Sequence, residues 1–184
     1  MARQFTFLLS DEEKTFLKNT VRESIRTHLA GESAEAPAPL TDKLAQPLGA
    51  FVTLTLGGRL RGCIGNLQSE APLASTIWNM ARSAAFKDPR FPPLTEQEFA
   101  EVEIEISILS TITECHDVNA VEVGRHGLIV QRAGKSGLLL PQVAVQWGWD
   151  RETFLAQTCR KAGLDPSVIH KAGTAIFWFE ASVF

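Results

Sequence analysis

The sequence predicts an α+β fold, with mixed or antiparallel sheets flanked by helices, and three observations carry that prediction. Leu17, Val21, Ile25 and Leu29 recur at four-residue spacing and form one apolar stripe of a helix. Residues 102–112 and 174–184 alternate apolar and polar side chains with the period of a half-buried strand. Gly57-Gly58 separates two more strand-like runs, and glycine pairs take the positive φ values that a tight hairpin needs.

The first helix starts after Ser10, which forms a capping box with Glu13. Asp11 and Glu12 suit the positive end of the helix dipole, and Gly31 ends the helix. Residues 32–47 hold Pro37, Pro39 and Pro47 among alanines and small polar groups, so this segment should run over the surface, without chemistry. The hairpin follows, with strands over residues 50–56 and 59–67. A second helix starts near Pro72, turns Leu73, Ile77, Met80, Ala81 and Ala84 inward, and stops at Asp88-Pro89. Residues 85–94 form a proline-stiffened connector, after which Thr95 and Glu98 cap a short helical turn. In the next strand Val102, Ile104, Ile106 and Ile108 share one face, and Glu103, Glu105 and Ser107 the other.

Leu128-Ile129-Val130 and Leu138-Leu139-Leu140 read as strands joined by Arg132-Ala133-Gly134-Lys135-Ser136-Gly137, with Gly134-Lys135-Ser136 as the hairpin turn. That turn imitates the tail of a phosphate-binding loop, but Ile129 stands where the motif requires glycine. Pro141 opens a short helix through Trp147. Asp150 caps a longer one whose inner face is Phe154, Leu155 and Thr158, and Gly163 ends it. The last run places Phe177, Phe179 and Val183 on one face and Trp178 and Glu180 on the other; so apolar a strand must be sheltered within a sheet.

Composition narrows the function classes. With 184 residues and 45% hydrophobic content the chain can bury a real core, as one domain or two intimate lobes. A net charge of -3 creates no global pull towards nucleic acid or anionic membrane. Cys63, Cys115 and Cys159 are widely spaced, with no Cys-x-x-Cys pair, which fits a reducing compartment and gives no zinc pattern. His28, His116, His126 and His170 are scattered, so neither a metal nor a cofactor is expected. The opening Met1-Ala2-Arg3-Gln4-Phe5 lacks the apolar run of a signal peptide, and no stretch approaches the ~20 apolar residues of a membrane span. The expected location is the cytoplasm.

The candidate chemistry centres on Cys63. Gly62 and Gly65 bracket it, and glycine inside a strand marks a bulge or a close approach by a ligand or another backbone. Arg59 and Arg61 precede it, and the N-terminus of the second helix follows within a few residues. Both would favour thiolate over thiol. The competing role for Cys63 is that of a small buried hydrophobe. Glu105 is a candidate general base, or a partner of Arg61, if its strand lies beside that of Cys63; a solvated sheet face is the alternative. His126 could complete a Cys–His pair or simply bond loop backbone. Arg61, Gly62, Gly65 and Arg90 are the candidate ligand-binding residues, although Arg90 could equally pair with Asp88 or tie loop carbonyls.

Leu60-Arg61-Gly62-Cys63-Ile64-Gly65 resembles the signature hexapeptide of the AMMECR family, whose bacterial and archaeal members are called AmmeMemoRadiSam system protein A. The similarity continues through Gly49-Ala50-Phe51-Val52-Thr53-Leu54, Ala85-Phe86-Lys87-Asp88-Pro89-Arg90-Phe91-Pro92-Pro93-Leu94, Glu105-Ile106-Ser107-Ile108-Leu109, Gly124-Arg125-His126-Gly127 and Leu140-Pro141-Gln142-Val143-Ala144. The resemblance implies an α+β fold in two lobes, leaves the reaction open, and implies partnership with a Memo-type protein and a radical-SAM protein. We expect a single AMMECR-type domain over residues 1–184, with a larger lobe of 1–117 plus 174–184, a smaller lobe of 118–173, and ligand in the cleft. The expected function is an enzyme, or enzyme component, acting on a small molecule or in a modification pathway through a cleft containing Cys63. The alternative is non-catalytic binding of a ligand or partner segment; RNA association is disfavoured by the charge balance.

Overall fold

The computed structural model describes residues 8–184. The opening stretch used above to argue against a signal peptide lies outside the described residues. The described chain forms two compact units, residues 8–109 with 182–184 and residues 110–181.

In the N-terminal unit, helix α1 (Asp11–Leu29) is opened by the expected capping box: Ser10 Oγ accepts the Glu13 N–H, and the Glu13 carboxylate accepts the Ser10 N–H. Leu17, Val21 and Ile25 are fully buried along its inner stripe. Glu13 is buried as well. The Ser10 N–H, Lys43 Nζ at 2.9 Å and the Thr41 hydroxyl hold its carboxyl at about 2. The proline-bearing segment does lack helix and strand over residues 32–40, but Leu44 beyond it is fully buried in the core, so this stretch is an anchor and not only a surface crossing.

Strands β1 (Ala50–Leu56) and β2 (Arg59–Asn66) form the expected hairpin, with Gly57 and Gly58 at φ 55° and 72°. Helix α2 (Leu73–Phe86) buries Leu73, Ile77, Met80, Ala81 and Ala84, all five residues of the anticipated stripe. The short helix α3 (Glu96–Phe99) carries the Thr95–Glu98 capping box, and β3 (Glu103–Leu109) pairs antiparallel with β1. Within this unit the strand order is β2-β1-β3, with β2 at the edge. Val52, Leu54, Ile106 and Ile108 point into the core shared with the helices. Phe51, Thr53 and Glu105 therefore take the opposite face. Phe184 exchanges two backbone hydrogen bonds with Ile106, of 2.9 and 3.1 Å.

The alternating run expected to continue through residue 112 instead stops at Leu109. Ser110 bonds Glu180 through its backbone N–H and accepts the Glu180 N–H on its hydroxyl. The C-terminal unit then holds β4 (Thr113–Glu114), β5 (His126–Arg132), β6 (Lys135–Leu139), α4 (Pro141–Gln146), α5 (Arg151–Lys161) and β7 (Ala175–Val183) up to Ala181. β5 pairs antiparallel with both β6 and β7, and β4 pairs with β7. Strand β7 is thus covered by β5 and β4, which supplies the shelter its apolar sequence requires. Leu128, Val130, Phe154, Cys159 and Ile176 form the core. No helix among the described residues is long and apolar enough to cross a membrane.

Candidate functional site

The surroundings of Cys63 are set by a bulge. Pairing runs Leu56 with Arg59 and Thr55 with Leu60, then shifts so that Leu54 faces Gly62 and Thr53 faces Cys63. Arg61 is the unmatched residue, and a bulge re-aims the side chain that it carries. Its guanidinium turns to Glu98, with Nε and Nη2 donating at 2.8 and 3.0 Å, and Nη2 also reaches the Pro92 carbonyl at 3.0 Å. Arg61 is 8% exposed, and its buried Nη1 has no hydrogen-bond partner. Glu98 is held at about 2, first by Arg61 and then by the Thr95 N–H. Arg61 is therefore a strut between β2 and α3, and does not supply the positive charge expected beside the thiol.

The helix N-terminus is not there either. The part of α2 that meets this strand is its last turn: a Cβ on Gly62 would lie 2.2 Å from the Ala84 carbonyl oxygen. The first residue, Leu73, is about 16 Å further along the axis at 1.5 Å per residue. A helix dipole acts within its terminal turn, so its positive end has no hold on Cys63. Gly65 is similarly filled, a Cβ there lying 2.2 Å from Phe51 Cγ. Both glycines admit the protein's own atoms, and neither takes a positive φ.

What surrounds Cys63 is a latch from the Asp88-Pro89-Arg90 connector. The Cys63 N–H donates to Asp88 Oδ2 at 2.9 Å, and Arg90 Nη2 donates to the Cys63 carbonyl at 3.3 Å. Arg90 also clamps Asp88 in bidentate fashion, Nε to Oδ1 at 2.9 Å and Nη2 to Oδ2 at 2.7 Å. The Asp88 side chain is only 2% exposed and its carboxyl is held well below the usual range by Arg90, despite burial. The latch satisfies the outward backbone groups of an edge strand, where an open edge would invite pairing with another chain. Arg90 thus pairs with Asp88 as its alternative reading foresaw, and the carbonyl it ties belongs to strand β2 rather than to a loop.

On the sheet face away from the helices, Thr53 lies opposite Cys63 on β2 and opposite Glu105 on β3. The Thr53 hydroxyl donates to Cys63 Sγ at 3.2 Å. Cα atoms two strands apart are separated by about 10 Å, so Thr53 fills the space between thiol and carboxylate. Burial pushes the Cys63 thiol up; the Thr53 hydroxyl and the Arg90 charge oppose that, while Asp88 and Glu105 reinforce it. The expected depressed pKa is thereby corrected, because the arginine nearest in sequence points elsewhere and burial outweighs the one that acts. Cys63 is half-buried, whereas Cys115 and Cys159 are buried, and burial raises those thiols too.

His126 belongs to the C-terminal unit. Its Nδ1 accepts the Glu122 N–H at 3.0 Å, leaving the neutral ring with its proton on Nε2, and the ring packs on Trp178 at 4.6 Å. The lone pair a general base needs is already committed. Burial and the Arg125 charge lower its pKa. Arg125 binds Glu180 Oε1 at 3.0 Å, and Gly127 leaves room for the Phe179 ring, so the whole Gly124-Arg125-His126-Gly127 motif organises β5 against β7. Among the described residues no group of three or more His, Cys, Asp and Glu side chains is placed to hold a metal ion.

The geometry accounts for the hexapeptide around Cys63, the Asp88-Pro89-Arg90 connector and the Gly124-Arg125-His126-Gly127 motif. The AMMECR1 family model matches residues 18–184. The chain belongs to the AMMECR1 family. A protein of Methanothermobacter thermautotrophicus is 42% identical over 185 residues, covering 96% of this chain and 95% of its own. Protein MJ0810 of Methanocaldococcus jannaschii is 40% identical over 186 residues, covering 96% and 92%. The crystal structure of uncharacterized protein PH0010 from Pyrococcus horikoshii superposes with a TM-score of 0.89 at 38% identity, covering 95% of this chain and 92% of that one. In this AMMECR1 chain the signature hexapeptide is thus explained as a bulge that presents Cys63, two glycines closed upon by neighbouring atoms, and a strut, Arg61. Thr53 is the site residue that sequence reasoning missed.

Proposed function

We propose that this AMMECR1 chain is an enzyme, or enzyme component, that uses the Cys63 thiol on a small molecule at the Cys63–Thr53–Glu105 row. The observation carrying this reading is the Thr53 hydroxyl donated to Sγ, with a carboxylate next along the same row. A thiol whose pKa is raised is protonated at neutral pH and needs a base. In the proposed step the thiol proton passes to the intervening Thr53 hydroxyl as that hydroxyl gives its own proton to Glu105, and Sγ bonds to an electrophilic acyl carbon. The bond from that carbon to the leaving group breaks with its electron pair, and the leaving group receives the proton; water then releases the acyl group as an acid and restores the thiol. Thr53 donates to sulfur while charge develops there.

The second reading, ligand or partner binding without chemistry, is supported by the internal use of Arg61 and Asp88 and by the raised thiol pKa. Mass spectrometry of purified protein and of Cys63→Ala, under native and denaturing conditions, separates the two. A small molecule covalently attached at Cys63 and absent from the variant supports the enzyme. The same molecule retained non-covalently by both proteins supports binding. Partnership with a Memo-type protein and a radical-SAM protein, expected from the family resemblance, is part of the proposal and is read by co-purification. RNA binding tighter than the ~10⁻⁴–10⁻⁶ M of non-specific contacts at physiological salt would revive the nucleic-acid role that a net charge of -3 disfavours.

A further inference from the structure

We propose that the C-terminal unit also binds a zwitterionic amino acid with an apolar side chain, in a cavity beside the first turn of α5. This site stands on observations independent of Cys63. The cavity measures about 260 Å³, and Val118, Leu155, Ala156 and Ile169 give it an apolar floor, while Arg151 and Glu152 stand among its polar lining. At ~30 Å³ per water it equals roughly nine waters, the scale of a leucine or phenylalanine and too small for a nucleotide.

The polar groups select the ligand class. Arg151 and Glu152 carry opposite charges, yet among the described residues neither enters a salt bridge. Arg151 Nη1 donates to the Asn119 carbonyl at 2.8 Å, which fixes the guanidinium at the cavity and leaves the rest of its fork for a carboxylate. A purely anionic ligand would face Glu152, and a purely cationic one would face Arg151. An α-amino acid answers both, with its carboxylate on Arg151, its ammonium on Glu152 and its side chain on the floor. Pre-fixing of Arg151 reduces the ordering cost of binding.

The test uses the full chain with L-leucine, L-leucinamide, which lacks the carboxylate, and N-acetyl-L-leucine, which lacks the ammonium. Calorimetry and amide chemical shifts are the readouts. L-leucine should shift the amides of Arg151, Leu155 and Ile169, and each truncated ligand should bind at least ~10-fold more weakly. Glu152→Gln should weaken L-leucine but not N-acetyl-L-leucine; Arg151→Gln should weaken L-leucine but not L-leucinamide. Because Arg151→Gln also loses the bond to Asn119, the ligand series on the unaltered protein decides the matter should that variant fail to fold. Absence of shifts at these residues with L-leucine at about 10 mM, ten times a weak ~1 mM Kd, overturns the proposal. Equal binding of either truncated ligand overturns it too.

Discussion

Removing the Asp88 carboxylate tests the latch that frames Cys63. In the folded chain this buried group accepts the Cys63 N–H, the Arg90 N–H and two guanidinium donors of Arg90. In Asp88→Ala the Arg90 side chain, 50% exposed, regains water, so its ion pair contributes only ~0–1 kcal/mol of the loss. The Cys63 N–H has no such recourse within the latch, and an unsatisfied donor costs about 1–3 kcal/mol. The expected destabilisation is therefore about 2–3 kcal/mol, or a fall in Tm of roughly 5–10 °C for a chain of this size. Asp88→Asn keeps an acceptor oxygen but loses the charge, and should cost about 1 kcal/mol. Since the folded pKa of Asp88 lies below its ordinary value, the carboxylate stabilises fully above about pH 4, and that stabilisation disappears as pH falls through the folded pKa. Wild type and Asp88→Asn should differ most near neutrality and converge in acid. Urea denaturation across pH gives the stabilities, and hydrogen exchange at the Cys63 amide reports the latch directly. A change below ~0.5 kcal/mol for Asp88→Ala, with Cys63 exchange unaltered, would refute the reasoning.

Three further outcomes are expected. Gly62→Val drives a Cβ into the Ala84 carbonyl and should destabilise by at least ~1 kcal/mol in the same denaturation assay; a neutral effect would mean that α2 shifts freely. Limiting iodoacetamide should label Cys63 ahead of the buried Cys115 and Cys159, but with a rate still rising above the ~8.5 of a free thiol, as peptide-resolved alkylation across pH would show; a plateau below that pH contradicts the burial argument. His126 has a lowered folded pKa, so its neutral form stabilises fully above about pH 6.5 and the benefit is lost as pH falls towards the folded value. His126→Phe should flatten the stability curve between pH 7 and 5, and an unchanged slope would show that the ring titrates freely.

The sequence by itself determined most elements whose cause is local, although the turn read at Gly134-Lys135-Ser136 is in fact Ala133-Gly134, with Lys135 and Ser136 already paired in β6. The Ser10–Glu13 and Thr95–Glu98 capping boxes, the Gly57-Gly58 turn, the Asp150 cap and the inner stripe of α2 are set by neighbours within four residues, and the structure contains each of them. The close packing at Gly62 and Gly65 was legible too, because glycine within a strand has few other reasons to be there. What only tertiary structure decided is which charge meets which group. A two-residue turn without a bulge would set Thr53 opposite Gly62; the extra residue at Arg61 moves it opposite Cys63 and sends the guanidinium to Glu98, 37 residues away. Likewise the end of α2 that touches β2 depends on the path of the connection, and Asp88 and His126 found partners that no periodicity records. Helix and turn signals are read over a few residues, but a thiol's pKa is set by burial and by charges brought together from strands, connectors and helices far apart in the chain.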